Sequence, residues 1–340
     1  MSEVRIRPAD IEADREVLVD LLLKYLTPRS TERRFRWFYQ DNPRGAARAW
    51  IATTGDERII GSGAIIPQLV YVAGRPCKVS VMADFWIHPE FRALGPAVKL
   101  QRACVAGAAE EGAAFFDLPQ GQMAAVYKRM GLLGTQQLTR LAKPLRTRTY
   151  VQKVLGDGVL ARSVAAVADS VLQLPDSLRR RGDCTIARHE GELGTEFSEL
   201  ALQVSAGYGV CVARSAEYLS WRYRHHYYLR YDIYTARRAG QLRAYLIVSE
   251  SGQYADVVDL FGHDEPQTLL DLLREATAIY RERGCAGLQI GCHAPPRWTD
   301  LLERAGFRRR STRPLVIHEL APTGAEQSPG WFLNYGDIDY

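Results

Sequence analysis

Apolar and polar positions alternate over residues 47–53, 59–66, 68–72 and 78–87, which predicts four strands in succession. Thr54-Gly55-Asp56 and Ala73-Gly74-Arg75-Pro76 read as the hairpin turns between them. Helical spacing of apolar residues covers 14–26, 98–111 and 123–130, with a short apolar strand at 113–118. Gly131 closes the last of these helices as a C′ glycine. Hairpins followed by a strand-loop-helix-strand unit predict an α/β (α+β) fold, a twisted mixed sheet with helices on both faces.

The pattern repeats. Phe35-Arg36-Trp37-Phe38-Tyr39 resembles Leu219-Ser220-Trp221-Arg222-Tyr223, an offset of 184 positions at the tryptophan. Ala83-Asp84-Phe85-Trp86-Ile87-His88 resembles Val258-Asp259-Leu260-Phe261-Gly262-His263 at an offset of 175. Met130-Gly131-Leu132 matches Ala305-Gly306-Phe307 at the same offset. Ordered matches at a slowly falling offset predict two copies of one fold: residues 1–148, a helical connection over 149–182, and residues 183–340. Recurrence with the fold assigns Trp37 and Trp221 to core packing. It also makes the basic and aromatic run 222–228 a repeated structural element rather than a nucleic-acid surface.

The chain has 340 residues, 46% hydrophobic and 24% charged, with a formal net charge of +5. That is an ordinary globular composition, and its Lys and Arg are dispersed, so nucleic acid is not an expected partner. The N-terminus shows no signal-peptide core and no stretch approaches the roughly 20 apolar residues of a membrane span. The six cysteines form no C-x-x-C pair, which excludes a zinc cluster of that type and sets the expectation of reduced thiols in a cytoplasm, with no metal.

The chemistry concentrates at 85–97. An apolar strand ends at Ile87, a turn follows through His88-Pro89-Glu90, and Arg92-Ala93-Leu94-Gly95-Pro96-Ala97 leads into a helix. Such a loop aims backbone N–H groups and the positive end of the helix dipole at one point, which suits a phosphate.

With those residues, the chain resembles the GNAT superfamily of acyl-CoA-dependent N-acetyltransferases, in the tandem two-domain form found in bacteria. Residues 92–97 match the family's strand, [Q/R]-x-x-G-x-[G/A] loop and helix. Ala124-Ala125-Val126-Tyr127-Lys128-Arg129-Met130-Gly131-Leu132 resembles its A-x-x-x-Y-x-x-x-G-[FL] helix. The resemblance implies that acetyl-CoA or another acyl-CoA is the co-substrate. It implies that Arg92, Ala93, Leu94, Gly95 and Ala97 hold the pyrophosphate, and that the backbone at Trp86, Ile87 and His88 holds the pantetheine arm and polarises the thioester. Tyr127 is the expected acid for the leaving thiolate and Asp84 the expected base, with His88 behind it. The acceptor is a small-molecule primary amine, an amino sugar among the candidates.

Pro96 departs from the pattern, because it removes one N–H donor while sitting comfortably in a first helical turn. The second copy lacks the loop: Asp264 and Glu265 stand where pyrophosphate would bind. That copy is expected not to bind CoA, and to wall the acceptor site or hold a domain or homodimer interface. Two rival readings accompany this one, a non-catalytic acyl-CoA or metabolite-binding protein and a FemAB-like aminoacyl transferase.

Overall fold

The computed structural model describes residues 3–29, 31–92, 94–111, 114–147, 182–318 and 330–338, with single positions at 151, 156, 158 and 163. The connection expected to be helical lies largely outside them. The first half runs β1 (Arg5–Pro8), α1 (Arg15–Tyr25), α2 (Glu32–Phe35), β2 (Arg48–Thr53), β3 (Ile59–Val72), β4 (Arg75–Ile87), α3 (Leu94–Glu111), β5 (Phe115–Asp117), α4 (Met123–Met130) and β6 (Gln137–Pro144). The second runs β7 (Thr185–Arg188), α5 (Thr195–Ser205), β8 (Val210–Val212), α6 (Ala216–Leu219), β9 (Tyr231–Arg238), β10 (Gln241–Ser251), β11 (Tyr254–Gly262), α7 (Pro266–Glu282), β12 (Gly287–His293), α8 (Pro296–Arg304), β13 (Arg308–Pro314), β14 (Val316–His318), β15 (Trp331–Asn334) and α9 (Tyr335–Ile338). Among the described residues no helix is long and apolar enough to cross a membrane.

Where two strands were expected over 59–72, there is one, and it runs through Pro67. The Pro67 carbonyl accepts a hydrogen bond from the Asn42 side chain, so the edge where its N–H is missing faces Asn42. Strand β2 ends its pairing at Ile65 and demands nothing there. The β3–β4 connection is a two-residue turn, Ala73 and Gly74, both at positive φ (50° and 82°), which matches the right-handed twist of the strands it joins.

The halves are related locally by a pseudo-twofold. Thr31 and Ser215, 184 positions apart, each cap a short helix by accepting from a backbone N–H three residues on. Each helix then widens into one π-helical turn, Arg36–Gln40 and Ser220–Arg224. Trp37 and Trp221 stack there at 4.7 Å, and each indole N–H donates to the other's carbonyl at 3.0 Å. Each recurring tryptophan is therefore the other's partner as well as core.

The strands do not divide between the halves as the sequence does. Strand β6 lies between β12 and β13 of the second half. In return β14 pairs with β5 of the first. A third link runs β3–β8–β15–β12, so the 15 strands of the described residues form one sheet. One apolar core accordingly spans both halves, and a second, smaller one lies between α3, α4 and the first-half strands.

Candidate active site

Strands β4 and β5 are parallel and pair only at Ser80–Phe115 and Val81–Phe116. Beyond that they part, because β4 bulges at Asp84–Phe85 opposite Gly63 and β5 ends at Asp117. The His88 N–H donates to Ile60 of β3, so strand alternation turns Trp86 toward β3 as well. Ile87 then presents its N–H to the gap. Of the three backbone positions expected to hold a pantetheine arm, only Ile87 is so placed.

The three side chains do other work. Trp86 is buried and stacks on Tyr25 at 4.7 Å. His88 Nδ1 accepts from the Glu90 N–H and caps the turn Pro89–Phe91. The Arg92 side chain is exposed, Leu94 opens α3, Gly95 is exposed with no atom within 4 Å of a Cβ built on it, and Ala97 packs into the smaller core. Ala93 lies outside the described residues. An 18-residue helix thus points its N-terminus at the end of the β4–β5 gap, with its N–H donors at 94, 95 and 97 and none at Pro96. An open strand edge and an uncrowded helix start fit the arm and pyrophosphate of CoA.

Asp84 sits on the bulge at φ 47°. Its two oxygens take both Nη atoms of Arg34 at 2.7 and 2.8 Å, and Tyr39 donates to the same carboxylate at 2.9 Å. The ion pair is almost wholly buried, at 5% and 6% side-chain exposure. A carboxylate so engaged anchors the bulge to α2, its oxygens taken by Arg34 and Tyr39.

A second carboxylate is held differently. Asp117 ends β5 at the mouth of the gap, and the Tyr127 hydroxyl donates to it at 2.6 Å while accepting from Gln101 at 2.7 Å. Burial pushes the Asp117 carboxyl up to about 7, against a lowering by the Tyr127 hydrogen bond. The Tyr127 phenol is held well above its ordinary value, first by burial and then by the Asp117 charge. Tyr127 comes from α4, whose last turn closes on Gly131 in the left-handed conformation. The sequence signal for Asp117 is modest: a carboxylate ending an apolar strand ten residues before a tyrosine.

Asp117 opens onto a cleft of about 850 Å³ between the halves. Its first-half wall includes Arg34, Asp84 and Asp117, and its second-half wall includes Arg222, His226 and Gln289, with Arg140 of the exchanged β6 beside them. Burial pushes His226 down to about 3, helped by Arg222, so the ring is neutral and accepts from the Tyr228 and Leu229 N–H groups.

In the second half, β11 and β12 also pair in parallel and part after Val257–Ile290. Strand β15 fills that gap, pairing Asn334 and Leu333 with Cys292 and His293. Helix α9 follows it inward. Asp337 accepts from Arg214 at 2.7 Å, and Arg214 also holds Asp259. Helix α7 begins beside Glu265, whose carboxylate is paired with Arg243 and Arg238. Strand β12 carries no carboxylate and α8 no phenol.

No protein-family model matches the sequence, and no curated protein does. Solved structures match the whole architecture. A GCN5-related N-acetyltransferase from Anabaena variabilis superposes with a TM-score of 0.66 at 14% identity, covering 93% of this chain and 72% of that one. Saccharomyces cerevisiae N-myristoyltransferase with bound myristoyl-CoA gives 0.59 at 10% identity, covering 94% and 83%. A tandem GNAT protein from the clavulanic acid biosynthesis pathway gives 0.56 at 16% identity, covering 94% and 100%. The chain has the fold of the tandem GCN5-related N-acetyltransferases.

Proposed function

We propose that the protein is an N-acyltransferase that moves an acyl group, acetyl being the simplest, from CoA to a primary amine of a small molecule, amino sugars among the candidates. The observation that carries this reading is the part-buried Asp117–Tyr127 pair at the mouth of the gap between β4 and β5. Acyl-CoA, when bound, supplies a thioester carbonyl to the amine. Ile87 and the start of α3 at Leu94, Gly95 and Ala97 would hold it, with Arg92 at the rim.

Ammonium plus acyl-CoA gives amide, free thiol and one proton, so one proton travels from nitrogen to sulfur and another is released. Asp117 accepts the proton from the ammonium. Tyr127 cannot ionise beside an Asp117 carboxylate, since two adjacent negative charges in a buried site are unfavourable. Asp117, once protonated, can instead return a proton toward the sulfur, while the wholly buried Tyr127 behind it steers the carboxyl through its hydrogen bond. Asp84 holds the bulge and Arg34 in place of the base role expected of it. In the second half the gap is filled by β15 and both loop and acid–base pair are missing, which supports one CoA site per chain.

Calorimetry with acetyl-CoA tests the donor, with one site per chain expected and loss of binding in Gly95→Glu; absence of heat at millimolar ligand overturns the reading. For the base, kcat/KM is expected to rise through about pH 7 and the rise to vanish in Asp117→Asn. The same titration appears in stability. Asp117 holds its proton more tightly folded than unfolded, so its contribution is complete at about pH 4 and lost as pH climbs through about 7. Wild type is therefore expected to lose unfolding free energy relative to Asp117→Asn across that window in urea titrations, and parallel curves count against it.

A further inference from the structure

Most of the cleft's acids are accounted for, and among its cations Arg140 stands out by its place and its partners. Asp84 is neutralised by Arg34, and Glu250 is paired with Arg283 at 2.8 Å. Burial raises the Asp117 carboxyl, and Asp256 also lines the wall. Arg140 stands on β6, flanked by Gly291 of β12 and Ser311 of β13, and so reaches the cleft only because that strand is exchanged into the second half. Its Nη1 donates to Gln289 Oε1 at 2.8 Å. Its Nε is buried without a hydrogen-bond partner, and among the described residues no carboxylate pairs with it. A half-buried guanidinium without a counterion, in a cavity, is an anion receptor in waiting.

From this we infer that the amine acceptor also carries a carboxylate and that Arg140 is the residue that reads it. The inference rests on the acyl-transfer reading and names its substrate class. Gln289 holds Nη1 and the protein encloses Nε, so Nη2 is the nitrogen left to meet a carboxylate through a charge-assisted hydrogen bond. Asp117 at the other side of the cleft takes the ammonium. A substrate with both groups is then oriented end to end, amine toward the gap between β4 and β5 and carboxylate toward β6. A singly charged carboxylate suits the site better than a phosphate dianion, because Asp117 and Asp256 share the same cavity.

The test is calorimetric titration of the full chain with amino acids, their carboxamides and phosphoethanolamine, with acetyl-CoA titrated separately. A carboxylated amine should bind, and its carboxamide about ten- to a hundredfold more weakly, the loss of one charge-assisted hydrogen bond. Arg140→Gln should abolish that discrimination, and in turnover raise KM for the carboxylated amine by the same factor with kcat little changed. Arg140→Lys, which keeps charge and stem, should retain part of it and serves if the Gln variant does not fold. The inference is overturned if carboxamides bind as well as acids, if phosphoethanolamine binds best, or if Arg140→Gln still discriminates. It is also overturned if acetyl-CoA binds while no carboxylated amine does, an outcome that leaves acyl transfer standing. Failure of acetyl-CoA itself to bind would instead remove the reading beneath it.

Discussion

Two pairs of parallel strands diverge in this protein, and their gaps have opposite fates. Between β4 and β5 the gap opens onto a cleft, with an uncrowded helix start at one end and a carboxylate–phenol pair at the other. Between β11 and β12 it is occupied by residues 331–338 of the same chain, with acids at the helix start. Both copies keep an aspartate–arginine pair near the bulge, but they recruit the arginine differently. Arg34 comes from α2, whereas Arg214 precedes α6 and is shared with Asp337 of the tail. A parallel pair that splays leaves unpaired N–H and C=O groups, which something must satisfy. In one half the protein does so itself, and in the other the edge stays open among the described residues.

That contrast can be broken most forcefully at Asp337. It is buried, carries an upward-shifted carboxyl at about 6 through burial, and accepts from Arg214 and from the Asn334 N–H. Asp337→Ala is expected to cost about 3–5 kcal/mol of unfolding free energy, because it strands part of a buried guanidinium. Calorimetry on the variant should still count one acetyl-CoA, since the second copy lacks the glycine loop whether or not the tail is seated. Two sites would mean that the tail alone closes the second gap.

A smaller effect compares one substitution in both halves. A Cβ at Gly291 runs into the Tyr335 ring, and overpacking there should cost about 1–3 kcal/mol with acetyl-CoA affinity unchanged. Gly95→Ala meets no atom and should leave stability within about 0.5 kcal/mol. It should weaken acetyl-CoA about tenfold by crowding the loop amides, each bond to which is worth about 0.5–1.5 kcal/mol. Equal effects in the two assays would erase the distinction between a filled gap and an open one.

The smallest effect sharpens the open side. Pro96→Ala restores an N–H to the first turn of α3, and acetyl-CoA should bind a few times more tightly, by about one hydrogen bond. Unchanged affinity would mean that the ligand does not use that position.

Much of the local structure was legible along the chain. The alternation at 47–87, the loop into α3, Gly131 and the recurrence of Trp37 at Trp221 are short-range patterns, and the structure carries them, except that 59–66 and 68–72 are joined in one strand. The two copies were visible for the same reason. The site was only partly legible. Tyr127 could be singled out by its helix, but its partner Asp117 is defined by where β5 stops, and the engagement of Asp84 by Arg34 spans 50 residues. Residues 331–338 could not be assigned from their composition, because their role is set by a gap between strands that lie far earlier in the chain.

By itself the sequence determined the elements, their order, their duplication and the single glycine loop, all of which follow from periodicity and turn chemistry within a few residues. Tertiary structure alone decided three things: the exchange of β6 and β14, the filling of one gap by β15, and the arrival of Arg140 in the cleft. Backbone pairing is indifferent to which half supplies a strand. The winning arrangement is chosen by how well the whole sheet satisfies its edges and buries a common core, and that sum is not carried by any local stretch of residues.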